Sequence, residues 1–421
     1  MTRPPDRPRP KRRIPKVVLP KAEGLLIATA LLIVVAAVAP LTRAVFFLGG
    51  SGAASAAAIR SGKGISLDVA LAIRTSLPTQ YETTVLLENN EPVPLRLEYG
   101  APDVTGYEQR VQWRCDRGRL EREDAPARNR FFPPSRSGVA TIEVELGFYP
   151  RRDGKTLETS LFGNKATLRV ISPSPATLLR NGEIDGFKIG DYLDPSGPGV
   201  RKTTYAALYP EKYLPPPAFY LVDDATRDLR ISRHLRLGDF ALDYPWFSLG
   251  KRQYIALDYG LVRKFEDLID ELNRAGLPGD KFRIIYGFRP PAYNTDRIAQ
   301  DGGESLKAPF SMHQYGKALD FILDANGDLK MDDLDGDGKV TVRDAAVLVH
   351  YVNILDRRYR SQGVPLYGGA GIYDHHDFWE RPVQSPYVHI DTRGFLDEDG
   401  NLIRWPAVWP DTKEPIAWGK L

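Results

Sequence analysis

The chain has 421 residues, of which 42% are hydrophobic and 26% are charged, a composition that excludes a wholly disordered or fibrous protein. This length exceeds that of one ordinary domain, so two or three domains are expected. The formal net charge is only +3, and the excess of Lys and Arg is concentrated in residues 1–23. The remainder is slightly acidic, which argues against nucleic acid as the main partner. The single cysteine, Cys115, excludes an intrachain disulfide and a cysteine-based zinc finger.

The N-terminal segment predicts a membrane anchor. Residues 1–23 contain eight Lys and Arg residues against two acidic ones, and Gly24–Leu41 is a run of 18 uncharged residues. This run is near the lower limit for a helix that spans the hydrocarbon core, and the cations before it favour a cytoplasmic N-terminus. We therefore predict a basic cytoplasmic tail (1–23), one transmembrane helix (24–48) and a linker (49–63).

This topology implies a single-pass protein of the cell membrane, with its remaining domains on the periplasmic or extracytoplasmic side. A cleaved signal peptide is an alternative, because Ala37-Val38-Ala39 and Ala54-Ser55-Ala56 both have the A-x-A form of a cleavage site. A buried helix of a soluble domain is a third interpretation.

Short alternating strands separated by turn residues follow in residues 64–172. Regular short strands of this kind favour an all-β immunoglobulin-like sandwich. The segment has no clustered histidines or carboxylates, so we interpret it as a spacer or as a module that binds an envelope protein. Residues 173–217 are rich in Pro, Gly and Tyr and predict an irregular connector.

Residues 218–421 mix helix and strand signals and predict an α+β domain. Apolar residues recur at helical spacing in Leu261–Ala275, with Gly276 where the helix would end. Phe282–Tyr286 has the pattern of a buried strand, and Asp344–Tyr359 has that of a helix.

Two short motifs in this domain contain residues that bind metals. His313 and Asp320 flank Gly316, which allows a tight turn between them. In Tyr387–Asp391, strand alternation places His389 and Asp391 on the same side. Zinc binds imidazole nitrogen and carboxylate oxygen, and a catalytic zinc site needs three protein ligands and an open position.

The pattern S-x-H-x-x-G-x-A-x-D followed by V-H-x-D resembles the zinc peptidases of the D-alanyl-D-alanine carboxypeptidase and murein endopeptidase group. The resemblance covers about residues 230–405 and implies that His313, Asp320 and His389 bind one catalytic zinc ion. It also implies that Arg289, in the loop Gly287-Phe288-Arg289-Pro290-Pro291, lies beside the substrate, where its planar guanidinium suits a peptide carboxylate.

The chain departs from this family near the last histidine. Several relatives have Glu or His there as the general base, whereas here Ser385-Pro386-Tyr387-Val388 precedes His389. Asp391 is the predicted substitute, either as the base or as a group that orients an imidazole. The cluster Asp374-His375-His376-Asp377 is interpreted as a solvated loop in preference to a second ligand set.

A calcium loop is predicted between the two zinc motifs. Asp333–Asp344 matches the 12-residue loop of EF-hand and dockerin-like modules, with oxygen ligands at the required positions. The predicted ligands of one structural calcium ion are Asp333, Asp335, Asp337, the Lys339 carbonyl, Thr341 and Asp344. The upstream segment Asp324–Asp328 is a near match, because Leu329 occupies the position of the usual glycine. We count it as half a site or as a source of oxygens for the downstream loop. An acidic surface turn without metal is the alternative.

Together these features predict a multidomain fold with one N-terminal transmembrane helix, an immunoglobulin-like β-sandwich and an α+β zinc peptidase domain with a calcium-loop insertion at 324–344. The predicted function is hydrolysis of amide bonds in peptidoglycan stem peptides or cross-links. The alternatives are a non-catalytic peptidoglycan-binding or scaffolding protein and a module for dockerin-like pairing.

Overall fold

The computed structural model describes residues 67–71, 80–99, 107–124, 128–152, 155–156, 162–242, 252–300, 308–374, 376–378, 381–383, 385–406 and 412–418. Residues 54–421 form one compact unit. The predicted cytoplasmic tail, transmembrane helix and linker lie outside the described residues.

The strands, in chain order, are β1 (Leu67–Leu71), β2 (Gln80–Leu86), β3 (Val93–Tyr99), β4 (Tyr107–Cys115), β5 (Arg119–Leu120), β6 (Arg128–Phe132), β7 (Gly138–Arg152), β8 (Lys155–Thr156), β9 (Phe162–Ser172), β10 (Ser174–Pro175), β11 (Glu183–Ile184), β12 (Phe187–Lys188), β13 (Ala218–Val222), β14 (Gln253–Ile255), β15 (Phe282–Tyr286), β16 (Ala318–Leu323), β17 (Ala370–Tyr373), β18 (His376–Phe378), β19 (Arg381–Val383), β20 (Tyr387–Asp391) and β21 (Arg404–Trp405). The α-helices are α1 (Tyr205–Leu208), α2 (Tyr259–Arg274), α3 (Pro291–Gln300) and α4 (Val342–Ser361). The 3₁₀ helices are Ala176–Leu178, Pro210–Lys212, Leu237–Phe240 and Met312–Tyr315.

Strands β1 to β9 build two sheets that pack face to face. One sheet has the order β1-β3-β6-β5 and the other β2-β9-β7-β4, with β8 paired to β7. Alternate residues of both sheets point into one core, where Trp113 and Phe131 are almost completely buried. Burial of every second residue is the pattern of strands with one face packed and one face solvated.

The β-sandwich contacts the residues that follow it through buried hydrogen bonds. The Tyr220 hydroxyl donates to the Leu87 carbonyl oxygen at 2.8 Å, and the Leu221 N–H donates to Ser137 Oγ at 2.7 Å. Leu86 and Ile171 of the sandwich belong to the same apolar core as the helices of the C-terminal region. The sandwich is therefore packed directly against that region.

The C-terminal region is organised around a five-stranded sheet with the order β15-β16-β20-β17-β21. Helix α2 buries an apolar face that includes Leu261, Phe265, Leu268 and Leu272, at the three- and four-residue spacing of one helix side. Helix α4 begins at a capping box, in which Thr341 and Asp344 satisfy each other's backbone N–H groups. Both helices contribute to the core that supports the central strands.

The predicted connector at 173–217 contains β10 to β12, α1 and two short 3₁₀ helices. The Tyr192 hydroxyl donates to the Gln314 carbonyl oxygen at 2.9 Å, and Tyr213 packs edge-on against Tyr315. The connector therefore lies against the 3₁₀ helix that bears His313.

The fold class and the membrane location predicted above are wrong as far as the described residues test them. Within these residues no helix is long and apolar enough to cross a membrane. Helix α4 has 20 residues, but six of them are Asp or Arg, and charged side chains are costly in hydrocarbon. The described architecture consists mainly of strands and loops with few helices. The described residues therefore do not support a fold with a membrane-spanning helix or a single-pass location.

Candidate metal centre

A sharp turn brings His313 next to the start of β16. His313 lies in the 3₁₀ helix Met312–Tyr315, and Gly316 ends that helix with φ +66°. A Cβ atom at Gly316 would lie 2.5 Å from the carbonyl group of Ala256, so only glycine fits this backbone path. Strand β16 begins two residues later and presents Asp320 at its third position.

Strand pairing then brings Asp320 to His389. Strands β16 and β20 are antiparallel neighbours, and Asp320 pairs directly with His389. Asp320 Oδ1 lies 2.8 Å from His389 Nδ1 and 3.3 Å from His313 Nε2. The two imidazole nitrogens are 3.1 Å apart. All three side chains are buried, with no residue more than 6% exposed, and we call them the His-Asp-His trio.

The outer nitrogens of both imidazoles face hydrogen-bond acceptors. His313 Nδ1 lies 2.7 Å from the Gly287 carbonyl oxygen, and His389 Nε2 lies 3.3 Å from Asp391 Oδ2. With a metal ion bound, these acceptors would favour the tautomer in which each histidine carries its N–H on the outer nitrogen. The inner nitrogens and a carboxylate oxygen of Asp320 would then direct lone pairs toward the ion.

This donor set fits a zinc ion. Two bonds of about 2.0–2.1 Å at a tetrahedral angle separate their ligand atoms by about 3.3 Å. The three distances within the trio, 2.8, 3.1 and 3.3 Å, are close to that spacing. Imidazole nitrogen and carboxylate oxygen are also ligand types that zinc accepts. The buried trio can therefore hold a metal ion through His313 Nε2, Asp320 Oδ1 and His389 Nδ1.

The electrostatics of the trio keep its carboxylate ionised. Burial opposes the charge of Asp320, but the two imidazoles hold its pKa well below the usual range of a carboxyl group. Burial lowers the pKa of His313 against the attraction of Asp320. Burial also opposes protonation of His389, yet hydrogen bonds to Asp320 and Asp391 outweigh it and raise the pKa of that ring. One anionic oxygen and two imidazoles therefore face the centre.

Asp391 lies behind His389 and not between the trio and the solvent. It is fully buried, and its Oδ1 accepts the Gly369 N–H at 2.7 Å. Arg393 Nε donates to both carboxylate oxygens at 2.9 and 3.0 Å, and this guanidinium and His389 occupy Oδ2. A carboxylate engaged in this way favours the role of orienting the His389 ring over that of a general base.

Arg289 lies beside the trio at the loop after β15. Its Nη2 is 3.8 Å from Asp320 Oδ2, and its Nη1 donates to Asn294 Oδ1 at 3.4 Å. Its Nε is buried without a hydrogen-bond partner, although the side chain is 9% exposed. The guanidinium therefore retains donor capacity at the position where the resemblance places a substrate carboxylate.

A cleft of about 1000 Å³ opens over the trio. The connector supplies one wall of it through residues 203–206 and Tyr213. Trp405 covers another side, since its ring lies 5.0 Å from that of His389 and its Nε1 donates to the Tyr373 hydroxyl at 2.7 Å. The cationic side chains that line the cleft are Arg289, Arg297, Arg393, Arg404 and Lys413.

Arg393, Trp405 and the connector tyrosines line the cleft or pack beside it, although no sequence motif predicts them there. Arg393 had a detectable signal, because it follows Asp391 by two residues and strand alternation places such pairs on one side. Trp405 and Tyr213 had none, because they reach the cleft from segments distant in sequence.

The predicted calcium ligands divide into two groups. Asp333, Asp335 and Asp337 are exposed, and their carboxylates approach within 4.8 Å of one another. Asp344 is fully buried and turned to the backbone, where Oδ1 accepts the Leu334 N–H at 2.6 Å and Oδ2 the Thr341 N–H at 2.7 Å. The structure therefore brings together three of the predicted carboxylates. The fourth, Asp344, accepts backbone hydrogen bonds at the start of α4.

The remaining two loop ligands lie in the same turn. The Lys339 N–H donates to Asp337 Oδ1 at 2.8 Å, and Thr341 Oγ1 accepts the Arg343 N–H at 3.1 Å. Of the additional cluster, Asp374 is exposed and lines the cleft. His375 and the side chains of His376 and Asp377 lie outside the described residues.

No family model matches the chain, and no curated protein matches it either. Among solved structures, a cysteine protease inhibitor from Entamoeba histolytica is 18% identical, with a TM-score of 0.14, over 26% of this chain and 99% of that one. An inclusion body protein from Burkholderia cenocepacia J2315 is 11% identical, with a TM-score of 0.13, over 21% of this chain and 63% of that one. Similarities of this extent carry no argument about function.

Proposed function

We propose that this protein is a zinc-dependent peptidase that hydrolyses amide bonds in peptidoglycan stem peptides or cross-links. The observation that carries the proposal is the His-Asp-His trio, in which three acceptor atoms lie 2.8 to 3.3 Å apart at the floor of a large cleft. The motif resemblance supports the choice of reaction and of substrate class.

The chain's own residues prepare the trio for a cation. The Gly287 carbonyl and the Asp391 carboxylate each lie within hydrogen-bond distance of the outer nitrogen of one imidazole, so they would orient His313 and His389 with their inner nitrogens toward a bound cation. Asp320 contributes the negative charge. A zinc ion held by these three side chains would act as a Lewis acid toward the carbonyl of the scissile amide.

Arg289 would position the substrate. Its buried guanidinium has an unpartnered Nε beside the trio, and guanidinium groups bind carboxylates through parallel hydrogen bonds. The other cations of the cleft add to an attraction for anionic ligands. Stem peptides bear carboxylates, which is why this cleft suits them better than neutral peptides.

A proton acceptor is also required near the scissile bond. Asp391 is fully buried and engaged with Arg393 and His389. Among the described residues that line the cleft, Asp374 is the carboxylate outside the trio. We assign it the role of accepting the proton of the attacking water.

The test is digestion of purified muropeptides by the full chain, with products identified by mass spectrometry and bound zinc measured on the same samples. We expect His313→Ala, Asp320→Ala and His389→Ala to lose zinc and all product while the far-UV circular dichroism is retained. His234→Ala is the matched control, because that ring pairs with Glu266 at 2.7 Å, outside the trio. Wild-type protein that binds peptidoglycan without zinc and without product would instead establish the scaffolding alternative.

A further inference from the structure

Two consecutive segments of nine residues, Asp324–Asp332 and Asp333–Thr341, have the same pattern of residue types. Each has an Asp, Asn or Asp, Gly, Asp and Lys at its first, third, fourth, fifth and seventh positions. The second segment is the predicted calcium loop. The first is the upstream near match, in which Leu329 stands at the sixth position.

The structure gives both segments the same backbone hydrogen bonds. In each, the N–H groups at positions 5, 6 and 7 donate to the side-chain oxygens at positions 3, 1 and 5. In the first segment these bonds are Asp328 N to Asn326 Oδ1 at 2.8 Å, Leu329 N to Asp324 Oδ2 at 3.2 Å and Lys330 N to Asp328 Oδ1 at 2.9 Å. In the second they are Asp337 N to Asp335 Oδ1 at 3.1 Å, Gly338 N to Asp333 Oδ2 at 2.8 Å and Lys339 N to Asp337 Oδ1 at 2.8 Å.

The backbone conformation of Leu329 is compatible with a calcium loop, although glycine is the usual residue at this position. Leu329 has φ +69°, in the left-handed region that non-glycine residues rarely occupy. Gly338, the equivalent residue of the second segment, has φ +84°. The leucine therefore adopts the same turn as the glycine, and at this position the backbone of the upstream loop matches that of the downstream loop.

A second observation, independent of this loop geometry, points to a ligand. The Asp324 side chain is only 1% exposed. Its Oδ2 accepts hydrogen bonds from Leu329 N and from Arg283 Nε, the latter at 2.9 Å. Its Oδ1 is buried and has no hydrogen-bond partner. Such an oxygen is rare in folded proteins, because an unsatisfied buried acceptor is destabilising. Since Arg283 Nε donates to Oδ2 and Oδ1 accepts no hydrogen bond, Oδ1 retains its acceptor capacity.

We propose that the upstream loop binds a second divalent cation of the calcium type. Asp324 Oδ1, the side-chain oxygens of Asn326 and Asp328, and the Lys330 carbonyl would be its protein ligands, with water completing the shell. These hard oxygen donors select calcium over zinc. The proposal does not depend on the peptidase function.

The position of the loop gives this cation a structural role. Asp324 directly follows β16, and its N–H extends the pairing with β15 by donating to the Lys281 carbonyl at 2.8 Å. At the other end of the loop, the Asp332 N–H donates to the Leu323 carbonyl at 2.9 Å. A cation inside the loop therefore fixes the end of the strand that carries Asp320.

The test is a calcium titration of the chelator-stripped full chain by isothermal calorimetry, with stoichiometry as the readout. We expect two ions per wild-type chain, one in Asp328→Ala, one in Asp337→Ala and none in the double variant. Asp194→Ala is the matched control, because it removes an exposed carboxylate that, like Asp328, accepts the backbone N–H of the residue two positions later (Ser196 N to Asp194 Oδ1 at 2.8 Å), and it should leave two ions.

Asn326→Ala provides a second variant of the upstream loop and should also bind one ion. Circular dichroism establishes that each variant is folded. One ion in the wild type that is lost in either single variant would mean a single shared site and would overturn the proposal. The proposal would also be overturned if Asp328→Ala and Asn326→Ala bound as many ions per chain as the wild type.

Discussion

The Lys264 ammonium lies 2.9 Å from the backbone carbonyl oxygen of Asp391, beneath the trio, although 127 residues separate the two in the chain. Lys264 is fully buried on α2 and forms an ion pair of 2.6 Å with Asp356 on α4. Arg404 of β21 contacts the other oxygen of Asp356 at 2.8 Å. This cluster joins two helices to the strand that carries His389 and Asp391.

Replacing Lys264 with Met should therefore lower the free energy of unfolding strongly. The change keeps the length of the side chain but removes one partner of a buried ion pair, a loss that typically costs about 3–5 kcal/mol. Denaturant unfolding measures the effect. Lys281→Met is the control, because its pair with Asp280 is exposed and such pairs contribute about 0–1 kcal/mol. Equal losses in the two variants would contradict a stabilising role for the cluster.

Asp391→Asn should weaken zinc binding without altering the shape of the site. The carboxylate holds the His389 ring through Nε2, and loss of such a partner typically lowers metal affinity by about 10–100-fold. Competition with a chelator measures the affinity, and excess zinc should restore part of the activity. Full zinc affinity combined with a fall in kcat of about 10²–10⁴-fold would instead make Asp391 the general base.

Asp374→Asn should show the opposite pattern to Asp391→Asn. Since Asp374 lines the cleft outside the trio, zinc affinity should be unchanged while kcat falls by about 10²–10⁴-fold, as expected for loss of a general base. An unchanged kcat in Asp374→Asn would show that Asp374 is not the general base.

Arg289→Ala should discriminate between substrates. A charge-assisted hydrogen bond contributes about 1.5–3 kcal/mol, so kcat/KM for muropeptides with a free terminal carboxylate should fall by about 10–100-fold. The same peptides with an amidated terminus should change little. Because Arg289 Nη2 also lies 3.8 Å from Asp320, bound zinc is measured in parallel. An equal loss for both substrates at full zinc occupancy would exclude carboxylate recognition by this residue.

Tyr205→Ala should raise KM more than it lowers kcat. Tyr205 begins α1 in the connector and lines the cleft, so its ring offers contact area to a bound substrate, and the proposed mechanism assigns it no proton transfer. Leu208→Ala is the control on the same helix, because that side chain is 42% exposed and does not line the cleft. Unchanged KM in Tyr205→Ala would show that the connector wall does not contact substrate.

Local sequence patterns located the elements whose structure depends on near neighbours in the chain. The helix predicted at Leu261–Ala275 is Tyr259–Arg274, and the strand predicted at Phe282–Tyr286 has those same bounds. In the helix the apolar spacing reflects one buried face, and in the strand it reflects a short apolar run. Both patterns can be recognised in the sequence without knowing which element packs against the segment. The predicted transmembrane helix has no support in the described residues, none of whose helices is suited to cross a membrane.

Motif spacing also selected His313, Asp320 and His389, because a turn glycine and strand alternation are properties of single segments. Their zinc ion remains a prediction. The pairing of β16 with β20 cannot be inferred from the motif spacing, and it is this pairing that places Asp320 opposite His389. It also left open whether Asp391 faces the substrate or the imidazole.

Only the tertiary structure decided these points, since each depends on contacts between residues far apart in the chain. Arg393 and the Gly369 N–H turn Asp391 toward His389, and Lys264 reaches it from another element. The connector forms a cleft wall because Tyr192 and Tyr213 pack against the His313 helix. Sequence thus determined which chemical groups are present and their local geometry, whereas long-range packing determined which of those groups face one another.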